Sequence, residues 1–165
     1  MTDWEALIDE HGPLVVRISW RILGHASDVE DNVQQVFLDA YELHAKEPIR
    51  HWRGLLRRLA TLGALARLRR RRNPIPLDDI MPLDRGERPD QSASRHELED
   101  RLRLAVAALP EREGASFCLR YFDALELTEI AQSLGITYSA AATAVSRARA
   151  KLQRLFAENA VEDVG

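Results

Sequence analysis

The sequence has a single cysteine and no long apolar run. Cys118 alone cannot form a disulfide framework or a cysteine-based zinc site within the chain. No stretch approaches the roughly 18 apolar residues of a membrane span, so we expect no membrane insertion. The first residues are acidic and lack the basic start and apolar core of a signal peptide. These absences predict a cytoplasmic protein, and a hydrophobic content of 45% suffices for a folded core.

Acidic residues are missing from one stretch that is dense in arginine. Residues 48–72 hold nine arginines and no acid, whereas residues 1–47 hold ten acids and three bases. Like charges at this density repel one another unless an anion binds between them, and arginine is suited to bidentate contact with phosphate. The block favours a phosphate-binding surface, with a solvated helix face as the alternative.

Strand periodicity is also missing, because the apolar residues recur at three- and four-residue steps along almost the whole chain. A helix break is predicted before Pro13, a helix end at Gly24, and new helices behind Pro48 and Pro110. Further helix starts are predicted at three capping boxes: Thr2 with Glu5, Ser27 with Glu30, and Ser94 with Glu97. The predicted fold class is all-α.

An acidic, proline-rich stretch without periodicity divides these helices into two groups. Residues 73–93 have the composition of a flexible linker. We therefore predict two small helical domains, at residues 1–72 and 94–160.

The second predicted domain contains the pattern of a helix-turn-helix. Residues 127–136 read LTEIAQSLGI, with the small Ala131 where two helices cross and Gly135 where the turn needs a positive φ. A last helix from about Tyr138 to Phe156 would then place its first turns, including Ala144, in the major groove of DNA. An ordinary helical hairpin is the alternative.

Together the two halves resemble the extracytoplasmic-function (ECF) group of bacterial RNA polymerase sigma factors, in the sigma-70 family. Residues 28–38, DVEDNVQQVFL, are similar to the region 2 signature D-x-E-D-x-x-Q-x-x-F-L, and residues 52–60 and 67–72 resemble the rest of region 2. Residues 109–122 and the helix-turn-helix resemble region 4, and nothing between them resembles region 3. The resemblance covers nearly the whole chain and implies a promoter-recognition subunit of RNA polymerase that is not an enzyme.

The resemblance implies three binding surfaces. One would bind the clamp of the largest subunit of core RNA polymerase: Asp28, Glu30, Asp31, Gln34, Gln35, Phe37 and Leu38. A second would bind the melted −10 element of promoter DNA: Trp52, Arg53, Arg57, Arg58, Arg67, Arg69, Arg70 and Arg71. A third would bind the −35 element: Thr128, Thr137, Tyr138, Ser139, Thr143, Ser146, Arg147 and Arg149. Trp52 also lies on the apolar stripe of its helix, which favours a core position for it.

The sequence departs from the family at several positions. Thr61 and Leu62 stand where arginine and asparagine are common, and Ala66 stands where an acid is frequent. In the last helix, Ala142 and Ala144 occupy positions that often carry lysine and arginine. Each missing phosphate contact lowers the salt slope of DNA binding by about one, so we expect −35 recognition to be weak or altered.

No other motif predicts chemistry. The five histidines are scattered, and neither a glycine-rich phosphate loop nor a nucleophile elbow is present, so no metal, cofactor or catalysis is expected. Two other functions stay open: a stand-alone helix-turn-helix regulator that binds DNA without polymerase, and a degenerate sigma-like protein that opens no promoter. The resemblance also implies an anti-sigma factor as a partner, and association with the nucleoid in the active state.

Overall fold

The computed structural model describes residues 1–72 and 91–162, so most of the predicted linker lies outside the described residues. All regular structure within these two ranges is helical. A π-helical turn at Cys118–Phe122 directly follows α5, and the seven α-helices are α1 (Trp4–Leu23), α2 (Ala26–Lys46), α3 (Trp52–Arg72), α4 (Gln91–Ala108), α5 (Glu111–Phe117), α6 (Leu127–Leu134) and α7 (Tyr138–Glu162). None of these helices has both the length and the apolar composition needed to cross a membrane.

The first helix is continuous, so the break predicted before Pro13 is wrong. Proline removes one helical hydrogen bond and crowds the carbonyl four residues earlier, which disfavours a helix interior. Apolar residues on both sides of the proline nevertheless form one buried stripe: Leu7, Leu14, Val15, Ile18 and Ile22. Packing of this stripe outweighs the local cost. The helix ends as predicted at Gly24, whose φ of 63° is accessible to glycine without strain.

The three predicted capping boxes are also wrong. Asp3 rather than Thr2 caps α1, because its carboxylate accepts a hydrogen bond from the Ala6 amide at 3.2 Å. The second helix begins directly after His25 without a side-chain cap, and α4 begins three residues before Ser94. The observed helix starts therefore differ by one to four residues from those that the local signals predict.

One hydrophobic core connects the N-terminal half (α1–α3) to the C-terminal half (α4–α7). Leu56, Leu65 and Leu68 of α3 are buried in a cluster that includes residues of α1 and α2. The same cluster includes Val106 of α4 and Leu152 of α7. A smaller cluster holds the helix-turn-helix together: Leu119, Leu125, Ile130, Ala131, Ala141 and Val145. The two halves therefore pack against each other, with α3 between them.

A buried amide connects the three helices of the N-terminal half. Asn32 of α2 donates through its side-chain nitrogen to the Ser19 hydroxyl at 2.9 Å and to the Ala60 carbonyl at 3.2 Å. Its Oδ1 faces Gly63 of α3, where an added Cβ would lie 2.6 Å from that oxygen. Because the amide is held by both donated hydrogen bonds, it cannot move aside without breaking them.

We expect opposite effects from two glycine substitutions in α3. Gly54→Ala should raise the free energy of unfolding by about 0.5–1 kcal/mol, because alanine favours the helix and no atom lies within 4 Å of its Cβ. Gly63→Ala should lower it by about 1–2 kcal/mol, because overpacking against Asn32 exceeds the propensity gain. Urea unfolding followed by circular dichroism measures both. Equal shifts in the two variants would contradict the close approach at Gly63.

Candidate nucleic-acid and protein interfaces

The outward face of α2 carries most of the residues predicted to bind polymerase. Five of them are exposed along this face: Glu30, Asp31, Gln34, Gln35 and Leu38. The Leu38 side chain is 59% exposed, and Gln35 donates to Asp39 at 2.7 Å. The opposite side of the helix buries Val29 and Val36. Carboxylates and amides around an exposed leucine form a surface suited to a protein partner.

Two of the residues predicted to bind polymerase are partly buried. Phe37 is half-buried and packs against the main core. Asp28 is half-buried as well and forms an ion pair with Arg71 of α3. These two side chains contact residues outside α2. The exposed residues of the set predicted to bind polymerase are therefore those on the outward face of α2.

Trp52 lies in an aromatic cluster that the sequence analysis did not identify. Its ring is 5.5 Å from that of Trp4 and 5.2 Å from that of His44, between centroids. Tyr41 packs on Trp4 at 5.2 Å. These residues lie on three different helices, and no local pattern relates them. The cluster fixes the orientation of Trp52 and leaves it half-buried, which agrees with its position on the apolar stripe.

The arginines of α3 do not form one continuous surface. Arg53, Arg58 and Arg70 are exposed. Arg67 instead donates to the Asp31 carbonyl at 3.3 Å, and Arg71 pairs with Asp28, so both contact α2.

Two further α3 arginines point into the C-terminal half. The Arg57 side chain is only 11% exposed, and its Nε donates to Asp123 at 3.1 Å. Arg69 donates to the Ala107 carbonyl at 2.9 Å and to the Leu109 carbonyl at 3.4 Å. These two guanidinium groups therefore bind protein oxygen atoms in the described arrangement.

The turn between α6 and α7 has the geometry that the sequence predicted. Gly135 adopts a φ of 66°, and its amide donates to the Ala131 carbonyl. Ala131 is buried at the helix crossing, and Thr137 accepts a hydrogen bond from the Ala140 amide at 3.1 Å. A capping box not predicted from the sequence, Glu126 with Glu129, starts α6. The turn therefore fixes the direction in which α7 leaves the core.

All eight residues predicted to bind the −35 element are exposed: Thr128, Thr137, Tyr138, Ser139, Thr143, Ser146, Arg147 and Arg149. The Arg149 guanidinium lies 5.9 Å from the centroid of the Tyr121 ring. Seven of the eight belong to α7 or to the residue before it, so they are available on the helix that the pattern assigns to the major groove.

Two other residues of α7 do not lie on this surface. Ala144 is only 4% exposed and lies in the core, so its expected position at the DNA groove is wrong. Lys151 bonds Glu113 of α5 at 2.7 Å instead of pointing along the outer face. A small alanine and the aliphatic part of a lysine can each pack between helices or face solvent. The sequence pattern therefore does not distinguish Ala144 and Lys151 from the exposed residues of α7.

Cys118 is buried where α5 passes into the π-helical turn. Burial in apolar surroundings disfavours the thiolate and raises the pKa of this thiol well above its usual range. A neutral, enclosed thiol is a packing residue, as the sequence predicted. Within the part of the chain that the structure describes, no group of three or more His, Cys, Asp or Glu side chains is placed to hold a metal.

Two family models match the chain in the order of its two halves. The model for sigma-70 region 2 matches residues 7–73, and the model for sigma-70 region 4 matches residues 99–152. The two matches together cover well over half of the chain. They correspond to α1–α3 and to most of α4–α7.

Whole-chain comparisons give the same relationship. The chain is 26% identical over 167 residues to the ECF RNA polymerase sigma factor SigE of Mycolicibacterium smegmatis, covering 98% of this chain and 65% of the relative. It therefore spans just under two thirds of that protein. It is 24% identical over 160 residues to the ECF RNA polymerase sigma factor SigW of Bacillus subtilis, covering 90% and 86% of the two chains. The fold is similar to that of CnrH in its complex with the cytosolic domain of CnrY, with a TM-score of 0.59, 23% identity, and coverage of 94% and 88%.

Proposed function

Because the chain belongs to the ECF group of the sigma-70 family, we propose that it directs core RNA polymerase to specific promoters and helps to open the duplex there. The observation that carries the proposal is the order of two sigma-70 regions on one chain, with the outward face of α2 in the first and the face of α7 in the second exposed. The protein performs no chemistry of its own in this role. It acts in the cytoplasm and associates with the nucleoid when it is active.

The outward face of α2 is the proposed contact with the clamp of the largest polymerase subunit. Its carboxylates and amides supply directional hydrogen bonds, and the exposed Leu38 supplies apolar area. Charged groups on such a face speed the encounter with the protein partner and fix its orientation. The apolar side chain that loses its water in the complex contributes more of the affinity.

The −10 element is proposed to bind along α3. Arg53, Arg58 and Arg70 are exposed and can contact phosphates directly. Trp52 offers an aromatic edge next to Arg53 at the start of the helix, although its cluster with Trp4 and His44 limits the ring face available for stacking on a base. Most of the proposed binding energy at this element is therefore electrostatic.

The −35 element is proposed to bind the exposed face of α7. Threonine, serine and tyrosine hydroxyls at its first turns can donate to base edges, and Arg147 and Arg149 can contact phosphates. Because Ala144 lies in the core and Ala142 is half-buried, few long side chains remain at the front of the helix. This arrangement supports weak or altered −35 recognition.

A protein partner that restrains the factor is part of the proposal. CnrH, whose fold is similar, is described in complex with the cytosolic domain of a second protein. The likeness supports an anti-sigma factor for this chain, bound through surfaces of both halves.

Co-elution with bacterial core RNA polymerase on gel filtration tests the function. The wild-type chain should co-elute, and the paired variant Asp31→Arg, Gln34→Ala should lose at least about tenfold in affinity, because it reverses one charge and removes one amide on the outward face of α2. The matched control is Asp9→Arg, Gln153→Ala, since both residues are exposed and lie outside the three proposed surfaces.

Retention of binding in the control and loss in the test variant would support the polymerase contact. A folded wild-type chain that never co-elutes with core polymerase would contradict the proposed function. DNA binding by that same chain without polymerase would then favour the stand-alone regulator.

A further inference from the structure

A cleft lies between the start of α3 and the short helix α6. Its volume is about 640 Å³. Arg50, Arg53 and Arg57 line one side of it, and Gln132 and Ser133 of α6 line the other. Sites for small molecules in proteins commonly measure about 300–1,000 Å³. The cleft therefore has the size of a site for a small organic molecule.

The α3 side of the cleft is rich in guanidinium groups. Arg50 and Arg53 are exposed. The Arg57 side chain is nearly buried, and because its Nε binds Asp123, its two terminal nitrogens carry the N–H groups that remain. The first turn of α3 contains no acid, so the partial positive charge of this helix end adds to that of the arginines. Guanidinium groups bind phosphate oxygens in pairs, which makes this side suited to a phosphate.

The acids near the cleft do not neutralise this charge. Glu10 lines the cleft, but its side chain is 76% exposed. Glu129 accepts a hydrogen bond at 3.3 Å from the backbone amide at the cap of α6. Asp123 is shared, because its Oδ1 accepts from Arg17 of α1 at 2.9 Å while its Oδ2 binds Arg57. The cleft therefore retains an excess of positive charge, which favours an anion.

The α6 side of the cleft offers neutral polar groups. Gln132 is exposed and Ser133 is nearly buried, so an amide and a hydroxyl lie opposite the arginines. Gly54 also lines the cleft, and no atom lies within 4 Å of the position that its Cβ would take. His11 is buried in the wall, and its Nδ1 has no hydrogen-bond partner among the described residues. A ligand that carries hydroxyl groups or ring nitrogens beside its phosphate can therefore hydrogen-bond to this side while the arginines bind the phosphate.

We propose that this cleft binds a small organic phosphate of nucleotide size, with the phosphate on the arginines of the α3 side and the organic part against Gln132 and Ser133. The inference goes beyond the proposed function and does not depend on it, because it involves neither polymerase nor promoter. A DNA duplex does not fit a cleft of this volume, which α6 bounds on one side while the two halves share one core. The ligand binds the folded arrangement of the two halves, so its binding stabilises the protein.

Isothermal titration calorimetry on the full chain, without DNA or divalent cations, tests the proposal. The probes are adenosine diphosphate (ADP) and its two parts, adenosine and inorganic pyrophosphate. ADP should bind with a Kd below about 1 mM and raise the Tm. Adenosine should bind at least about tenfold more weakly than ADP, because it lacks the phosphates that the arginines bind.

Two results of this titration would overturn the proposal. Adenosine that binds as tightly as ADP would contradict recognition of the phosphate. Absence of binding by both ADP and pyrophosphate would contradict the site itself. Neither result would bear on the polymerase contact, since that contact is measured by co-elution.

Charge variants locate the binding in the cleft. The double variant Arg50→Gln, Arg53→Gln removes two guanidinium groups from the cleft, and its matched control Arg95→Gln, Arg101→Gln removes two from exposed positions of α4. The first should weaken ADP binding at least about tenfold, and the control should change it less than about twofold. Equal affinities in the two double variants would place the ADP elsewhere and overturn the proposal.

A variant that fills the cleft tests its location without a change of charge. Gly54→Leu places a side chain in the cleft at a helical position where leucine is favoured over glycine. Gly12→Leu is the matched control, since Gly12 of α1 also has no atom within 4 Å of its Cβ position and lies outside the cleft. Gly54→Leu should weaken ADP binding at least about tenfold, and Gly12→Leu should leave it within about twofold of wild type. A Gly54→Leu variant that is folded by circular dichroism and binds ADP like wild type would overturn the proposal.

Discussion

Leu65→Ala is expected to lower the free energy of unfolding by about 3–4 kcal/mol, because it opens a cavity where the two halves meet. Leu65 is fully buried in α3, within the cluster that contains residues of α4, α5 and α7. Its Cδ1 lies 3.6 Å from the position that a Cβ on Gly114 of α5 would take, so the side chain touches the C-terminal half. Helices of both halves pack around Leu65, and their packing limits how far the cavity can collapse.

Urea unfolding with two probes measures this effect. All three tryptophans, Trp4, Trp20 and Trp52, lie in the N-terminal half, so their fluorescence reports that half, while circular dichroism reports both. Because the core is shared, the two probes should give coincident transitions, and Leu65→Ala should shift both. Leu38→Ala, at an exposed position, is the control and should change stability by less than about 0.5 kcal/mol. A loss below about 1 kcal/mol for Leu65→Ala would contradict its place in a shared core.

Local signals in the sequence predicted the parts of the structure that depend on local geometry. Gly24 and Gly135 were placed correctly because each ends a helix at a positive φ, which glycine adopts without strain. The stretch that resembles region 2 and the helix-turn-helix pattern also placed the exposed faces of α2 and α7. In these cases the relevant contacts lie within a few residues of one another.

Contacts between distant residues could not be predicted in the same way. The continuity of α1 through Pro13 depends on packing against α2 and α3, and no signal near the proline reports it. Asp123 is a single acid in a segment of balanced charge, and its partners Arg17 and Arg57 lie 106 and 66 residues away. The sequence therefore identified an arginine-rich helix but not which of its arginines bind protein.

The burial of Ala144 was missed for a different physical reason. Residues 139–144 read SAAATA, and alanine is small enough for either side of a helix. An apolar stripe is detected by contrast with a polar face, and this stretch has little contrast. The side of α7 that faces the core is set instead by Val145, Ala148 and Leu152, which are buried.

The ion pair between α5 and α7 should have the second-largest effect on stability. Glu113 is nearly buried, and its Oε2 accepts from the Lys151 ammonium at 2.7 Å. Lys151→Met would keep most of the packing of the lysine stem but leave the carboxylate enclosed without a cation. Removing one partner of a buried pair costs about 3–5 kcal/mol, and because the Lys151 side chain is 39% exposed we expect about 2 kcal/mol here.

A double-mutant cycle separates the ion pair from packing. The double variant Glu113→Leu, Lys151→Met should be more stable than Lys151→Met alone, since no unpaired carboxylate remains and apolar replacement of both partners is often neutral. Arg154→Met, at an exposed position of the same helix, controls for loss of one cation and should stay within about 0.5 kcal/mol of wild type. Strictly additive losses in the cycle would contradict a coupled pair. A coupled pair would mean that Lys151 stabilises the packing of α7 on α5, and that the arginines of this helix proposed to contact DNA are Arg147 and Arg149.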